Sequence, residues 1–318
     1  MEDLIVADRT LQEQILDGTY PIWGEGLSRE SYSAWNRGQM STEWGRSHLN
    51  RVALIDGGAL LASAKRYDFE ARVGAERVPV LGIGAVFTPV DQRGRGHARR
   101  LVERMVEDAT ARGCGYALLF SEIGAAFYES MGFRVVPRSL VSLKVVPKPD
   151  AGAPATFVRT GELADLPGIA EISARYAEGA TFALDRSAAL IGFGFARRRL
   201  LAGLSPAGRR QVEFFVAEEG GRAAAYVFIT RGPSGAVLEE CGDRDPTGAR
   251  IGAILQVLAA REPADPLSRM TSWLPRDLRP PQIDVSPEAP SPEIMMIRSL
   301  RDVASDLHNI VYWQTDIF

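Results

Sequence analysis

Between an apolar run ending at Thr88 and an amphipathic run from Arg99 to Ala111 lies the segment Gln92-Arg93-Gly94-Arg95-Gly96-His97-Ala98. A strand that turns directly into a helix leaves the first amides of that helix without backbone partners. Arg93, Gly96 and Ala98 stand in the spacing Arg-x-x-Gly-x-Ala, which puts small side chains where the helix begins and lets a ligand approach the backbone. The unpaired N–H groups, the positive end of the helix dipole and arginines at 93, 95, 99 and 100 suit a pyrophosphate. The candidate phosphate-binding residues are therefore Arg93, Gly94, Arg95, Gly96, His97, Ala98 and Arg99, with His97 acting through its amide rather than as a base. A P-loop would need a Gly-Lys-Ser/Thr ending, and a dinucleotide fingerprint would need a third glycine where Arg99 stands. A solvated basic turn is the competing reading.

About thirty residues on, the chain reads Ala126-Phe127-Tyr128-Glu129-Ser130-Met131-Gly132-Phe133. Gly132 suits the left-handed position that closes a helix, and Tyr128 lies four residues earlier on one face. The two segments together resemble the GNAT superfamily of acyl-CoA N-acyltransferases. Its pyrophosphate loop reads Arg/Gln-x-x-Gly-x-Gly/Ala, and its later helix carries Tyr-x-x-x-Gly-Phe. The resemblance implies a mixed α/β (α+β) GNAT fold with a central twisted sheet, acetyl-CoA as cosubstrate and no metal. It also implies that the strand before the loop splays from its neighbour, so that Val86, Phe87 and Thr88 run along the acyl-pantetheine arm. Tyr128 becomes the residue that protonates the departing thiolate; a plain core tyrosine is the alternative.

The base that deprotonates the acceptor amine is harder to find. Glu122 is the best candidate near the Tyr128 helix, although a solvated turn residue reads the same; Glu76 and His48 are weaker. Some two-lobed relatives, the enhanced-intracellular-survival acetyltransferases, bring their terminal carboxylate into the site. That resemblance adds Phe318, against the tendency of chain ends to fray. Trp23-Gly24-Glu25-Gly26-Leu27-Ser28, Ala85 to Pro89 and Phe120 to Gly124 further resemble the fungal lysine N-acetyltransferase family over about the first 145 residues.

The chain of 318 residues can hold two cores. Pro147 to Pro154 reads as a linker, which gives a catalytic domain over 1–146, a linker over 147–156 and a second domain over 157–318. Within the first, Asp56-Gly57-Gly58 turns a hairpin, Gly82 and Gly84 mark a bulge or a close backbone approach in the strand from Val78 to Thr88, and Tyr116 to Phe120 is the next strand. The second repeats this order as a degenerate GNAT-like lobe, with a hairpin around Glu219-Gly220-Gly221 and Gly242 to Gly248 where the phosphate loop would stand. Asp245, as N-cap before Pro246, is expected to fill the amides that a phosphate would otherwise need, and two carboxylates there would repel it. Pro275 to Pro292 is expected to be a long loop, followed by strands at Ile294 to Leu300 and Ile310 to Trp313.

A formal net charge of −3 gives no reason to expect nucleic acid, and no apolar run approaches a membrane span. The N-terminus lacks a signal-peptide layout and Cys114 and Cys241 read as ordinary thiols, so a cytoplasmic protein is expected. Arg197-Arg198-Arg199 and Arg209-Arg210 read as solvated helix faces, with binding of an acidic acceptor group such as a carboxylate as the alternative. Trp23, Trp35 and Trp44 either wall the acceptor site or belong to the core. The leading expectation is an acetyl-CoA-dependent N-acetyltransferase acting on a small-molecule amine, with free lysine or a related amino acid foremost. A protein, peptide, aminoglycoside or polyamine acceptor is the alternative, and a catalytically silent acyl-CoA-binding protein is a third. A homo-oligomer stays open.

Overall fold

The computed structural model describes residues 2–146, 156–233, 235–261, 269–275, 277–286, 289–301, 307 and 309–318. Most of the expected linker lies outside the described residues. The first half runs β1 (Glu2–Val6), α1 (Arg9–Trp23), α2 (Arg29–Ser41), α3 (Glu43–His48), β2 (Leu49–Asp56), β3 (Ala59–Val73), β4 (Glu76–Phe87), α4 (His97–Ala111), β5 (Tyr116–Ser121), α5 (Ala126–Glu129), β6 (Arg134–Val135) and β7 (Ser139–Val145). The second runs β8 (Phe157–Thr160), α6 (Leu166–Tyr176), β9 (Phe182–Leu184), α7 (Ala188–Leu204), β10 (Gln211–Glu219), β11 (Arg222–Gly232), β12 (Gly235–Asp243) and α8 (Ala249–Arg261). Five short strands follow: β13 (Arg269–Ser272), β14 (Ile283–Val285), β15 (Ala289–Pro290), β16 (Ile294–Ser299) and β17 (Ile310–Val311).

These strands form two mixed sheets, ordered β1-β2-β3-β4-β5-β16-β6 and β14-β7-β13-β12-β11-β10-β8 among the described residues. The halves exchange strands. β7 pairs with β13 and β14 in the second sheet, while β16 fills the space between β5 and β6 in the first. Met295, Met296 and Ile297 of β16 are buried there, so apolar burial accompanies a ladder that would otherwise leave β5 with an open edge. The stretch expected to be one long loop contains β14 and β15, both paired to β7; proline suits such edge positions.

The first sheet has two covered faces. Val52, Leu54, Ala62, Ala64, Leu81 and Ile83 pack on Leu101, Val102 and Met105 of α4, whose apolar positions recur at helical spacing. On the other face, Tyr67, Phe69, Phe182, Phe193, Met295 and Tyr312 form one cluster drawn from both halves.

Candidate active site

β4 and β5 are parallel neighbours joined through α4, and their ladder runs from Val80↔Tyr116 to Ile83↔Leu119. It stops there. β4 continues to Phe87 with β3 as its partner, while Phe120 and Ser121 of β5 pair only with β16. The sheet therefore opens in a V whose one arm is Gly84 to Phe87. Within that arm Lys65 pairs with Gly84 and Ser63 with Phe87, so Ala85 and Val86 face the single residue Ala64. This is a β-bulge, and Ala85 sits in it at φ 48°, a conformation that a residue with a Cβ seldom adopts. The bulge thus falls on Ala85 rather than on either glycine. Gly82 and Gly84 serve close approach instead: a Cβ on Gly82 would meet Phe69 at 2.6 Å and Phe318 at 2.9 Å, and one on Gly84 would meet Phe318 and Tyr67 at 3.1 Å.

At the end of β4 the chain makes one short turn over Val90–Gln92 and enters the loop. Gly94 and Gly96 are left-handed, at φ 76° and 80°, and α4 starts at His97 without a side-chain cap. The first internal amide bond of α4 is Arg100 N–H to the Gly96 carbonyl at 3.1 Å, so the amides of His97, Ala98 and Arg99 point out of the helix end without partners among the described residues. Arg93, Gly94, Arg95 and Gly96 are exposed around them. The Arg93 Nε donates to the Thr88 carbonyl at 3.3 Å, and the Thr88 hydroxyl is buried without a partner. The His97 ring is buried, with Nδ1 2.7 Å from Arg100 Nη2. Arg100 ties the loop to β1, with Nε on Glu2 at 2.9 Å and Nη1 on the Arg95 carbonyl at 3.0 Å. Arg99 reaches the end of α5, where its guanidinium meets the Ser130 hydroxyl and carbonyl.

Tyr128 lies on α5, which ends through Gly132 at φ 81°. Its ring packs edge-on against Phe127 and Phe133, with centroids 5.0 and 6.0 Å away, and its hydroxyl has no hydrogen-bond partner among the described residues. Burial pushes its pKa up to about 12, so the phenol holds its proton at neutral pH. Glu122 is exposed on the turn after β5.

The last residues are tied down rather than frayed. β17 pairs with β9, the Tyr312 hydroxyl donates to the Asp316 carbonyl at 2.7 Å, and Trp313 is fully buried. Arg186 binds Asp316 at 3.1 Å and Glu240 at 2.6 Å, and the Thr315 hydroxyl joins Glu240. Gly194 of α7 leaves room for the Thr315 carbonyl, which a Cβ would meet at 3.0 Å. The Phe318 ring consequently lands 4.4 Å from Tyr67 and 5.6 Å from Phe120, and its carboxyl carbon is 3.6 Å from where a Gly84 Cβ would sit. The chain terminus and the bulged arm of the V are neighbours.

Two residues in this region, Arg51 and Lys65, escape sequence reading, and a third, Arg197, differs from its reading. Arg197 is buried in α7, donates to the Ile317 carbonyl and lies beside Tyr67; Arg198 pairs with Glu239 at 2.9 Å, and Arg199 stacks over Phe214. Arg197 therefore lies between the halves, and Arg198 and Arg199 pair within the second half rather than forming a solvated face. Arg51 and Lys65 join Arg197 near Gly84. Trp44 belongs to the core, stacked on Phe69 and His48, whereas Trp35 borders this region and donates its Nε1 to the Arg197 carbonyl at 3.1 Å.

The second half lacks the helix-end cradle. α8 begins at Ala249, three residues later than Pro246 suggests, and the group that fills its entrance is Asp243 rather than Asp245. The Asp243 carboxylate accepts from Asp245 N–H at 2.8 Å and Arg250 N–H at 2.9 Å, and pairs with the Arg250 guanidinium at 3.0 Å. Asp245 accepts only within its own turn, from Thr247 N–H at 2.9 Å. Both cysteines are free and buried, and no group of metal-binding side chains occurs among the described residues. No described helix is long and apolar enough to cross a membrane.

Residues 9–136 match the family model for an acetyltransferase (GNAT) domain. No curated protein matches the chain. Among solved structures, a GCN5-related N-acetyltransferase from Anabaena variabilis is similar over 95% of this chain and 73% of its own, at 14% identity and TM-score 0.70. Eis1 from Mycobacterium abscessus matches 94% of this chain and 74% of its own at 14% identity and TM-score 0.60. A tandem GNAT protein from the clavulanic acid biosynthesis pathway matches 96% of this chain and 100% of its own at 13% identity and TM-score 0.54. At such identities these likenesses speak for the two-lobed fold.

Proposed function

We propose, from a chain that carries an acyltransferase domain of the GNAT type over residues 9–136, that it acetylates a small-molecule primary amine with acetyl-CoA as donor. The observation that carries this reading is the V between β4 and β5 leading into an uncapped helix end. The residues present fit the donor: free amides of His97, Ala98 and Arg99 suit its pyrophosphate, and the orphaned Thr88 hydroxyl offers a further polar contact beside the loop. Val86, Phe87 and Thr88 would then bind the pantetheine through the backbone of the open arm. Bound there, acetyl-CoA supplies an activated acetyl thioester.

The chain's own groups perform two proton transfers. The Phe318 carboxylate takes a proton from the acceptor ammonium, whose ordinary pKa near ~10.4 for a lysine-type amine keeps it charged at neutral pH. The amine then bonds to the acetyl carbon as the carbon–sulfur bond breaks, and the surplus proton on the new amide nitrogen leaves to solvent, from which the Tyr128 phenolate regains the proton it gives to sulfur. The neutral Tyr128 hydroxyl donates a proton to the departing sulfur, and its raised pKa keeps that proton available. Phe318 is preferred to Glu122 as the base because it is held against Gly84, whereas Glu122 faces solvent. We also propose residues 1–146 as the donor-binding catalytic domain, completed by β16, and the remainder as a cofactor-free lobe that supplies Phe318 and completes the acceptor site.

The test is CoA release from acetyl-CoA across free amino acids, polyamines, aminoglycosides and peptides. Release with one class of small amine supports the reading. No release above hydrolysis with any acceptor sinks it in favour of a silent binding protein.

A further inference from the structure

Arg51, Lys65 and Gly84 occupy directly opposed positions on β2, β3 and β4, so their side-chain positions share one face of the sheet. That face is the one on which Phe318 lies. The Lys65 Nζ is 3.2 Å from the Gln39 Oε1 and 5.7 Å from the Trp35 ring centre, and Arg51 Nη2 donates to the Asn36 Oδ1 at 3.0 Å. Arg197 reaches in from α7 with its main-chain carbonyl on Trp35. Three cations from three elements thus meet beneath α2.

Their partners are neutral. Among the described residues none of the three makes an ion pair: Arg51 binds an amide oxygen, Lys65 an amide oxygen and a ring face, and Arg197 the Ile317 carbonyl. Arg51 Nη1 and the neighbouring Ser63 hydroxyl are buried with no hydrogen bond at all. Burial, with Arg51 and Arg197 nearby, lowers the Lys65 pKa well below its usual value. Uncompensated buried charge is strongly destabilising as a rule, and a protein that only needed packing here would be more stable with apolar side chains. Lys65 is surrounded by protein yet keeps some accessible surface, as do Trp35, against whose ring it lies, and Phe318 on the same sheet face.

We propose that Arg51, Lys65 and Arg197 form a carboxylate-binding subsite, so that the acceptor is a small molecule carrying a carboxylate as well as its primary amine. The proposal rests on the acetyl-transfer reading and names its substrate class. An amino acid presents both required signs: its carboxylate meets the three cations, and its ammonium meets the Phe318 carboxylate at the open arm of β4. A polyamine or aminoglycoside would set its cations against three others, and like charges at close range repel.

The test is equilibrium binding by calorimetry, with CoA present, of pairs that differ only by the carboxylate: L-alanine with ethylamine, 4-aminobutyrate with propylamine, and L-lysine with cadaverine. The acid-bearing member of at least one pair is expected to bind about tenfold tighter or more, the scale of one charge-assisted bond. Lys65→Met and Arg51→Met are each expected to shrink that gap to about threefold or less. Lys65→Met should also raise the melting temperature, since it removes a group whose charged form burial disfavours; a lysine with a purely structural role would show the stability change without the change in preference. Equal binding or no binding by both members of every pair, or a preference that survives both variants, overturns the subsite. Binding that discriminates without any CoA release would instead retain the subsite and refute acetyl transfer.

Discussion

Replacing Tyr128 with phenylalanine separates the acid role from packing, because the hydroxyl has no hydrogen-bond partner among the described residues and the ring lies within an apolar cluster. Removing a hydroxyl without a protein partner costs no bond within the protein, so the variant should be about as stable as the parent at neutral pH. Turnover should fall by roughly 10²- to 10⁴-fold, the usual contribution of a positioned proton donor, with acetyl-CoA affinity unchanged. The alkaline side supplies an independent measure. The folded pKa lies above the unfolded one, so the native state holds the proton longer, and stability is lost as pH rises from about 10 towards about 12. A rise of that size corresponds to roughly 2.7 kcal/mol in full and about half of that by pH 11, a loss that the Tyr128→Phe variant, having no phenol to titrate, does not suffer. Chemical denaturation of both proteins at pH 8 and pH 11, beside single-turnover kinetics with saturating acetyl-CoA, reads all these quantities. Unchanged turnover in a folded variant would remove Tyr128 from the acid role, and parallel pH–stability curves would refute the desolvated environment assigned to its hydroxyl.

Amidating the chain terminus keeps the Phe318 ring on Tyr67 and Phe120 but removes the charge; semisynthesis should yield a folded protein with turnover lowered by about 10²-fold or more. Full turnover after amidation would return the base role to Glu122. Gly82→Val drives a side chain into Phe69 and Phe318, and should raise the acceptor KM while leaving the dissociation constant of CoA within about twofold, measured by calorimetry. Gly96→Ala puts a Cβ at a left-handed position, a strain of about 1–2 kcal/mol, and should weaken CoA about fivefold or more without changing the ratio between acceptors.

Much of the site was legible where the signal was local. The strand, the glycine loop and the amphipathic helix from 97 to 111 declare themselves through periodicity and backbone permissiveness, and so does the close of α5 at Gly132. The helix entrance at Asp243 was legible only in part: a carboxylate does fill it, yet that carboxylate stands two residues earlier than the Asp-Pro pattern suggests, because Gly248 and the 245–247 turn postpone the first helical residue. Arg197 resembled a solvated cation since its run of three arginines carries no mark of the second body that covers it.

The sequence by itself determined the local structure: an uncapped helix end with free amides, a tyrosine one helix later, and a second lobe whose equivalent entrance is closed by a carboxylate. Tertiary structure decided what depends on residues far apart in the chain. The exchange of β7 and β16, the seating of Phe318 over Gly84, and the meeting of Arg51, Lys65 and Arg197 each join segments more than a hundred residues apart, except for the Arg51–Lys65 pair. Periodicity reports which face of an element is apolar; it carries no information about which distant element covers that face, and burial by that partner is what brings ordinary cations and a chain end together at the open arm of β4.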